Sequence, residues 1–357
     1  MDIAEYIKQQ VELHPSMQAQ DVTKLCYQAA FGAEHLFTKD GHNMENKIRE
    51  YFYTEYETTS GEFRPPLYEK IWTDVCRVNL AAWKYKPEWL FDLFMMSANA
   101  SRVARVELAD KTRGRFNDFM ETAKHLGFAV SYDPNNIRPV HHSAEYREKE
   151  KPAYRVISGS YTRLIPILYN MAKRAEKAKM ECGEACKENA ADVVAIDGRA
   201  ASGKTTMAAH LAAITGAGVI HMDDFFLPME LRTPERFAKP GGNIHHERFA
   251  EEVLPFLKSG KAFSYQKFDC AKMKFNGVQE VTASPWRVIE GTYSNHPILE
   301  NYMDLAVFSD ITVLEQMARI ERRDGEKRAK EYASKWIPLE EEYFQTYQIK
   351  ESADIRV

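Results

Sequence analysis

The stretch Val193-Val194-Ala195-Ile196-Asp197-Gly198-Arg199-Ala200-Ala201-Ser202-Gly203-Lys204-Thr205 decides how this chain folds. It begins with a short, mostly β-branched apolar run, the mark of a strand buried on both faces. From Gly198 to Thr205 it then fits the spacing G-x-x-x-x-G-K-[ST] without a mismatch. Glycines there let the backbone wrap closely enough for its N–H groups to cradle phosphate oxygens. Lys204 supplies charge to the β- and γ-phosphates, the Thr205 hydroxyl suits Mg2+, and the helix opening there points its positive end at the anion. Met207, Leu211 and Ile214 continue as the apolar face of that helix, so strand, loop and helix follow in the order a nucleotide-binding loop needs. Gly198, Arg199, Ala200, Ala201, Ser202, Gly203, Lys204, Thr205 and Thr206 are the predicted nucleotide contacts. The alternative is an ordinary glycine-containing turn from strand to helix.

Downstream, Gly218-Val219-Ile220-His221-Met222 reads as a second buried strand and runs into Asp223-Asp224-Phe225-Phe226. A carboxylate at the end of the strand beside the loop strand sits at the mouth of an open α/β sheet, where it can accept a proton from an attacking hydroxyl. Asp223 is the candidate base; a pair of helix-capping aspartates is the alternative. Trp286-Arg287-Val288-Ile289-Glu290 is an apolar strand ending in an acid, the form of an element whose carboxylate, here Glu290, holds a metal ion directly or through water. Leu305-Ala306-Val307-Phe308 is a fourth strand, and residues 263–285 alternate like a hairpin with its turn at Asn276-Gly277. Late in the chain, Arg319-Ile320-Glu321-Arg322-Arg323 puts arginines on one helix. They read either as a segment closing over a transferring phosphoryl group or as a solvated charged face.

Short apolar runs alternating with helices predict an α/β domain over 189–357, a parallel sheet flanked by helices. Residues 1–188 read as mainly helical, with three- and four-residue apolar steps at Val22, Leu25, Cys26, Ala29, Ala30 and Ala33, and at Trp89, Leu90, Leu93, Phe94 and Met96. The boundary is placed near 188, after a helix over 164–187 that becomes polar on nearly all faces. In this first part Glu34-His35 and His141-His142-Ser143-Ala144-Glu145-Tyr146-Arg147 read as polar packing rather than a metal site, and Trp72, Trp83 and Trp89 as core.

Composition sets the outer limits. The chain has 357 residues and a net charge of −4, all of it falling after residue 190. So near a balance offers no electrostatic case for nucleic acid. With 44% hydrophobic and 28% charged residues it has the profile of a folded globular protein of two domains. The acidic start, without a basic and then apolar leader, and the lack of any run dense enough to span a bilayer predict a cytoplasmic protein with no membrane partner. Five scattered cysteines fit reduced thiols, with Cys182 and Cys186 as half of a metal site at most.

Residues 191 to about 350 resemble the uridine kinase and phosphoribulokinase group of P-loop kinases, and more closely the bacterial uridine-kinase-like proteins. The resemblance is carried by Ile196-Asp197-Gly198 entering the loop, Met222-Asp223-Asp224-Phe225-Phe226, Pro240-Gly241-Gly242-Asn243, Tyr265-Gln266-Lys267-Phe268-Asp269-Cys270, Ile289-Glu290-Gly291 and the arginines from Arg319 to Arg323. It implies that Asp223 activates the acceptor hydroxyl and that Thr205 and Glu290 serve Mg2+. It further implies that Tyr265 lies in the acceptor pocket and that Arg319, Arg322 and Arg323 belong to a lid, Arg322 toward the nucleotide. The chain departs from that group at Asn243-Ile244-His245-His246, where the group's nucleoside kinases read Phe-Asp-His-Pro. The acid that would bind ribose hydroxyls is absent at Ile244, which leaves Asp269 and His245 as its candidate replacements.

The expectation is an ATP- and Mg2+-dependent kinase acting on a hydroxyl of a nucleoside-like small molecule, with Lys204, Asp223, Arg319 and Arg323 at the reacting phosphoryl group. A non-nucleoside acceptor (pantothenate-, sugar- or sugar-phosphate-like) is the first alternative, and a nucleotide-gated switch the second. Homo-oligomer formation is left open.

Overall fold

The structure, a computed structural model, describes residues 2–32, 44–59, 66–107, 109–133, 140–182, 190–270, 272–300 and 302–357. Contacts divide the chain into two compact units, 1–173 and 174–357. The division falls within a helix rather than at 188, which lies outside the described residues, as do Glu34-His35, Ala33 and Cys186.

In the first unit, helices α1 (Ile3–Leu13), α2 (Ala19–Phe31), α3 (Met44–Thr58), α4 (Pro87–Glu107), α5 (Ala109–His125), α6 (Ala144–Glu150) and the start of α7 (Leu164–Cys182) accompany a sheet that the helical reading missed. Strands β1 (Tyr68–Trp72), β2 (Val75–Asn79) and β3 (Tyr154–Ser158) pair antiparallel in the order β1-β2-β3. The strands are five residues each and two of them carry an arginine at a buried position, Arg77 and Arg155, which hides the apolar alternation. Tertiary partners make those arginines tolerable: Gln28 accepts from Arg77 at 2.9 Å and Glu55 from Arg155 at 2.6 Å. Trp83 and Trp89 are buried, and Trp72 packs edge-on against Tyr6 and Phe119, as core readings require.

The second unit is built on five parallel strands: β4 (Asp192–Gly198), β5 (Gly218–His221), β8 (Trp286–Glu290), β9 (Leu305–Ser309) and β10 (Ile355–Arg356), in the order β10-β9-β4-β8-β5. The two-residue β10 had no signal in the sequence, and β5, expected beside the loop strand β4, is separated from it by β8, which pairs with both. Register decides where the chemistry collects. Ile196 pairs with Glu290, Glu290 with His221, and Gly198 with Ser309, so the carboxyl ends of four strands meet at one edge. Between β5 and β8 lie the short helices α9 (Pro234–Phe237), α10 (His246–Glu252) and α11 (Leu254–Leu257), then a hairpin of β6 (Phe263–Asp269) and β7 (Lys274–Val281). The two strands are joined between Asp269 and Lys274. Asn276-Gly277 falls instead within β7, where the register shifts opposite Gln266 and Phe268 and Gly277 takes φ +88°, so the pair makes a bulge and not the turn. Helix α8 (Lys204–Thr215) follows β4; α12 (Val313–Asp324), α13 (Glu326–Glu331), a π-helical turn (Tyr332–Trp336), α14 (Ile337–Tyr347) and α15 (Ile349–Ser352) complete the unit.

Asp197 ties these layers together. Its buried carboxylate accepts from the Tyr343 hydroxyl of α14 at 2.7 Å and from the backbone N–H groups of Gly198, Tyr293 and Asn295. No helix among the described residues is long and apolar enough to cross a membrane.

Candidate active site

A cleft of about 960 Å³ opens at the carboxyl edge of the parallel sheet. The turn from β4 into α8 forms one wall. Gly198 has φ +137°, and a Cβ there would come within 2.1 Å of the Ser309 carbonyl oxygen, so only glycine lets the loop pass β9. Gly203, φ +97°, then caps α8 and turns its first N–H groups toward the cleft. Lys204 is buried, donating to the carbonyls of Gly198 at 2.7 Å and Arg199 at 2.9 Å and to the Thr292 hydroxyl at 3.2 Å. These contacts fold the ammonium back over the loop and keep its charge at the loop's mouth.

Thr205 Oγ1 donates to Glu290 Oε2 at 3.1 Å, and Glu290 Oε1 meets His221 Nδ1 at 2.6 Å. That hydrogen bond raises the His221 pKa above its ordinary value against the effect of burial. Among the described residues no three His, Cys, Asp or Glu side chains gather into a protein-only metal cage. A hydroxyl and a carboxylate side by side at a phosphate loop are instead the hard oxygen donors that suit Mg2+, which takes most of its shell from water and phosphate.

Asp223 stands at the end of β5, open to the cleft yet enclosed by its walls. Desolvation by those walls, with the Glu290 charge adding, raises its carboxyl above the usual range, while Lys204 and His221 oppose the rise. Asp224 beside it also lines the cleft but is tied down: its Oδ2 accepts from the Tyr265 hydroxyl at 3.0 Å and Arg248 bonds its backbone carbonyl. The capping alternative fails for Asp223, since neither aspartate caps a helix through its side chain.

The opposite wall is cationic. Arg319, Arg322 and Arg323 of α12, Arg328 of α13 and Lys335 of the π turn all line the cleft. Arg319 reaches back to the Ala201 carbonyl at 3.2 Å, and Arg322 has no carboxylate partner among the described residues. The arginine-rich helix is thus turned inward, not presented wholly to solvent.

The other predicted residues separate into two groups. Ala200, Ala201, Gly203, Thr206 and Asp269 line the cleft along with those above. Gly198, Arg199 and Ser202 do not: Arg199 is held by Asp310 at 2.8 Å and by Glu341, and the Ser202 hydroxyl accepts from Ser309 at 2.8 Å. Tyr265, expected in the acceptor pocket, is buried beneath it with its hydroxyl committed to Asp224 and to the His221 N–H. His245 caps α10 by accepting from the Arg248 N–H at 3.2 Å and does not reach the cleft.

Other residues of the site were missed. His221 has a signal in hindsight, as a polar residue closing an otherwise apolar strand, and Arg232 lines the cleft near Cys270. Glu340 has none: it lies on α14, 140 residues from the loop whose Ala200 N–H it accepts at 3.1 Å. Burial pushes its pKa from 4.5 up to about 7, with Lys204 pulling the other way. A carboxyl raised this way stabilises the fold fully below its unfolded value, and that contribution is lost as pH climbs toward 7. Glu340→Gln keeps an oxygen for Ala200 and cannot ionise, so denaturant titrations without nucleotide should show the variant more stable at pH 8 by about 2–3 kcal/mol and level with the parent near pH 4.5. Identical pH slopes for the two proteins would remove this account of Glu340.

No protein-family model and no curated protein matches the chain. Several solved structures are similar to about half of it. One is described as a possible uridine kinase from Bacillus stearothermophilus, 20% identical, with 52% of this chain and 98% of that one covered at a TM-score of 0.37. Another is a candidate fructose transport system kinase from Silicibacter sp. TM1040, 23% identical over 47% of this chain and 90% of its own, TM-score 0.36. A third, the YGR205w protein, is 15% identical over 48% and 85%, TM-score 0.32.

Proposed function

We propose that residues 174–357 form a phosphotransferase that moves the γ-phosphoryl group of ATP to a hydroxyl of a small molecule. What carries this reading is the meeting, in one cleft, of a phosphate loop with its lysine, an enclosed carboxylate at Asp223, and arginines from the helices that close the unit. Lys204 and the loop N–H groups would hold the phosphates, and Asp223 would orient the acceptor hydroxyl and take its proton. Arg319, Arg322 and Arg323 would offset charge on the transferring group and exclude water, because hydrolysis otherwise competes with transfer. Thr205 and Glu290 would hold Mg2+, which would supply further positive charge to the phosphate oxygens.

Acceptor choice falls to the residues at the far end of the cleft: Asp269, Phe226, Phe268, Asn243 and Arg232. A nucleoside-like acceptor fits the aromatic rings and the half-buried Asp269, a carboxylate that can accept from a diol. Arg232 favours a second reading, an acceptor that itself carries an anionic group such as a sugar phosphate. ADP release measured over nucleosides, sugars, vitamins and sugar phosphates should show repeated turnover with one class. Tight ATP binding without turnover on any of them would overturn the phosphotransferase reading in favour of a nucleotide-gated switch.

A further inference from the structure

The first unit contains a cavity of about 410 Å³, within the range of small-molecule sites, and nothing in the proposed kinase reaction uses it. Its mouth is cationic in a unit that carries no net charge. Lys24 of α2, Arg147 of α6, Lys151 and Arg155 line it, and Glu55 is the one acid among the described lining residues. Glu55 is committed to Arg155 at 2.6 Å. Lys24, Arg147 and Lys151 have no carboxylate partner among the described residues. Lys24 is half-buried, and burial together with Arg77 lowers its pKa to about 8, outweighing the opposing pull of Asp21 and Glu55.

The floor is rigid. Tyr154 on β3 meets His142 Nε2 at 2.6 Å, and His142 Nδ1 meets Asp21 at 2.8 Å. Asp21 also accepts from the Ser143 hydroxyl at 2.6 Å and from the N–H groups of Ser143 and Gln18. Burial drives the His142 pKa down to about 4, so the ring is neutral; Nδ1–H donates to the carboxylate, and Nε2 accepts from the tyrosine. Gln28 donates to the Tyr154 oxygen at 3.1 Å, and the Arg77 guanidinium lies 4.9 Å from the ring centre. The relay fixes the tyrosine face as a wall, and Phe94 and the largely exposed Tyr51 supply apolar surface beside the cations.

We propose that this cavity is a binding site for a small organic phosphate, with Lys24, Arg147 and Lys151 on the phosphate and the aromatic walls on the organic part. A phosphate dianion supplies the counter-charge the three cations lack, and a flat or apolar body fills the remaining volume. The site lies wholly within the first unit and does not depend on the kinase reading.

The test uses the full chain bearing Lys204→Ala, which silences phosphate binding at the loop of the second unit, and titrates it calorimetrically with phenyl phosphate. Binding is expected in that background and should weaken by about 10- to 100-fold on adding Lys24→Gln, the scale of one charge-assisted hydrogen bond. Lys151→Gln, at an exposed position that leaves the packing alone, should weaken it in the same direction. Amine acetylation read by mass spectrometry gives a second measure: phenyl phosphate should slow labelling of Lys24 and leave exposed Lys8 unchanged. No binding in the Lys204→Ala chain, or unchanged affinity in both lysine variants, overturns the site. Benzoate binding as well as phenyl phosphate overturns the phosphate assignment.

Discussion

Asp223→Asn should lower acceptor-dependent turnover by about 10³-fold, within the 10²–10⁴ range that a positioned general base contributes, while ATP binding stays intact. The expectation rests on what the substitution leaves alone. Asparagine has the same shape, and the lysine and threonine of the loop are fixed by Gly198, Arg199, Thr292 and Glu290 rather than by Asp223. What is lost is a carboxylate able to take a proton. The pH profile gives an independent check: the walls of the cleft and Glu290 raise the Asp223 pKa, so the acid limb of kcat/KM should lie above the range of an ordinary aspartate. Full turnover in Asp223→Asn, with ATP affinity equal to the parent, would place the base elsewhere.

Lys204→Ala should be at least as severe and should differ in kind, because it removes binding and chemistry together. The ammonium is buried at the mouth of the loop, and its three hydrogen bonds hold Gly198, Arg199 and Thr292 in register. Loss of a single preorganised charge at a developing anion costs about 10²–10³ in kcat, and weaker nucleotide binding adds to that in kcat/KM. Calorimetry with ADP and a turnover assay on the same preparation separate the two. A variant that binds ADP like the parent and turns over normally would mean that the loop does not hold phosphate.

On the proposed reading the two substitutions probe the nucleotide side and the acceptor side of the cleft, and Glu340, beside the loop, bears on both results. Its carboxyl occupies the Ala200 N–H that faces the cleft, close enough to Lys204 for the charges to interact. Near pH 7 it is balanced between neutral and ionised, so nucleotide titrations are best compared at a fixed pH.

Local order was legible because it repeats along the chain. The G-x-x-x-x-G-K-[ST] spacing and the apolar strands at Val193-Val194-Ala195-Ile196, Gly218–His221, Trp286–Glu290 and Leu305–Ser309 need no distant partner to be recognised, and all four strands lie in the parallel sheet. Reading failed where a residue's environment comes from far along the chain. Arg77 and Arg155 interrupt the apolar alternation of β2 and β3, and the partners that make them tolerable, Gln28 and Glu55, come from other elements. Tyr265 and His245 sit in motif-like segments, but the turn of the backbone aims one at Asp224 and makes the other a helix cap. Asn276-Gly277 has the chemistry of a tight turn, and pairing with β6 made it a bulge.

By itself, then, the sequence determined that a phosphate loop opens a parallel α/β unit and that Asp223 and Glu290 each close a strand of it, while the order of those strands, with β8 between β4 and β5, came from the structure. Only the tertiary structure decided what those groups face: the strand register set His221 against Glu290, α14 laid Glu340 on the loop, and α12 turned its arginines inward. The same holds for the Asp21–His142–Tyr154 chain, joined across 121 and 12 residues. Periodicity records which side of an element is buried, whereas the partner that shares the burial is set by packing between elements, and hydrogen bonds of this length exist only once that packing is complete.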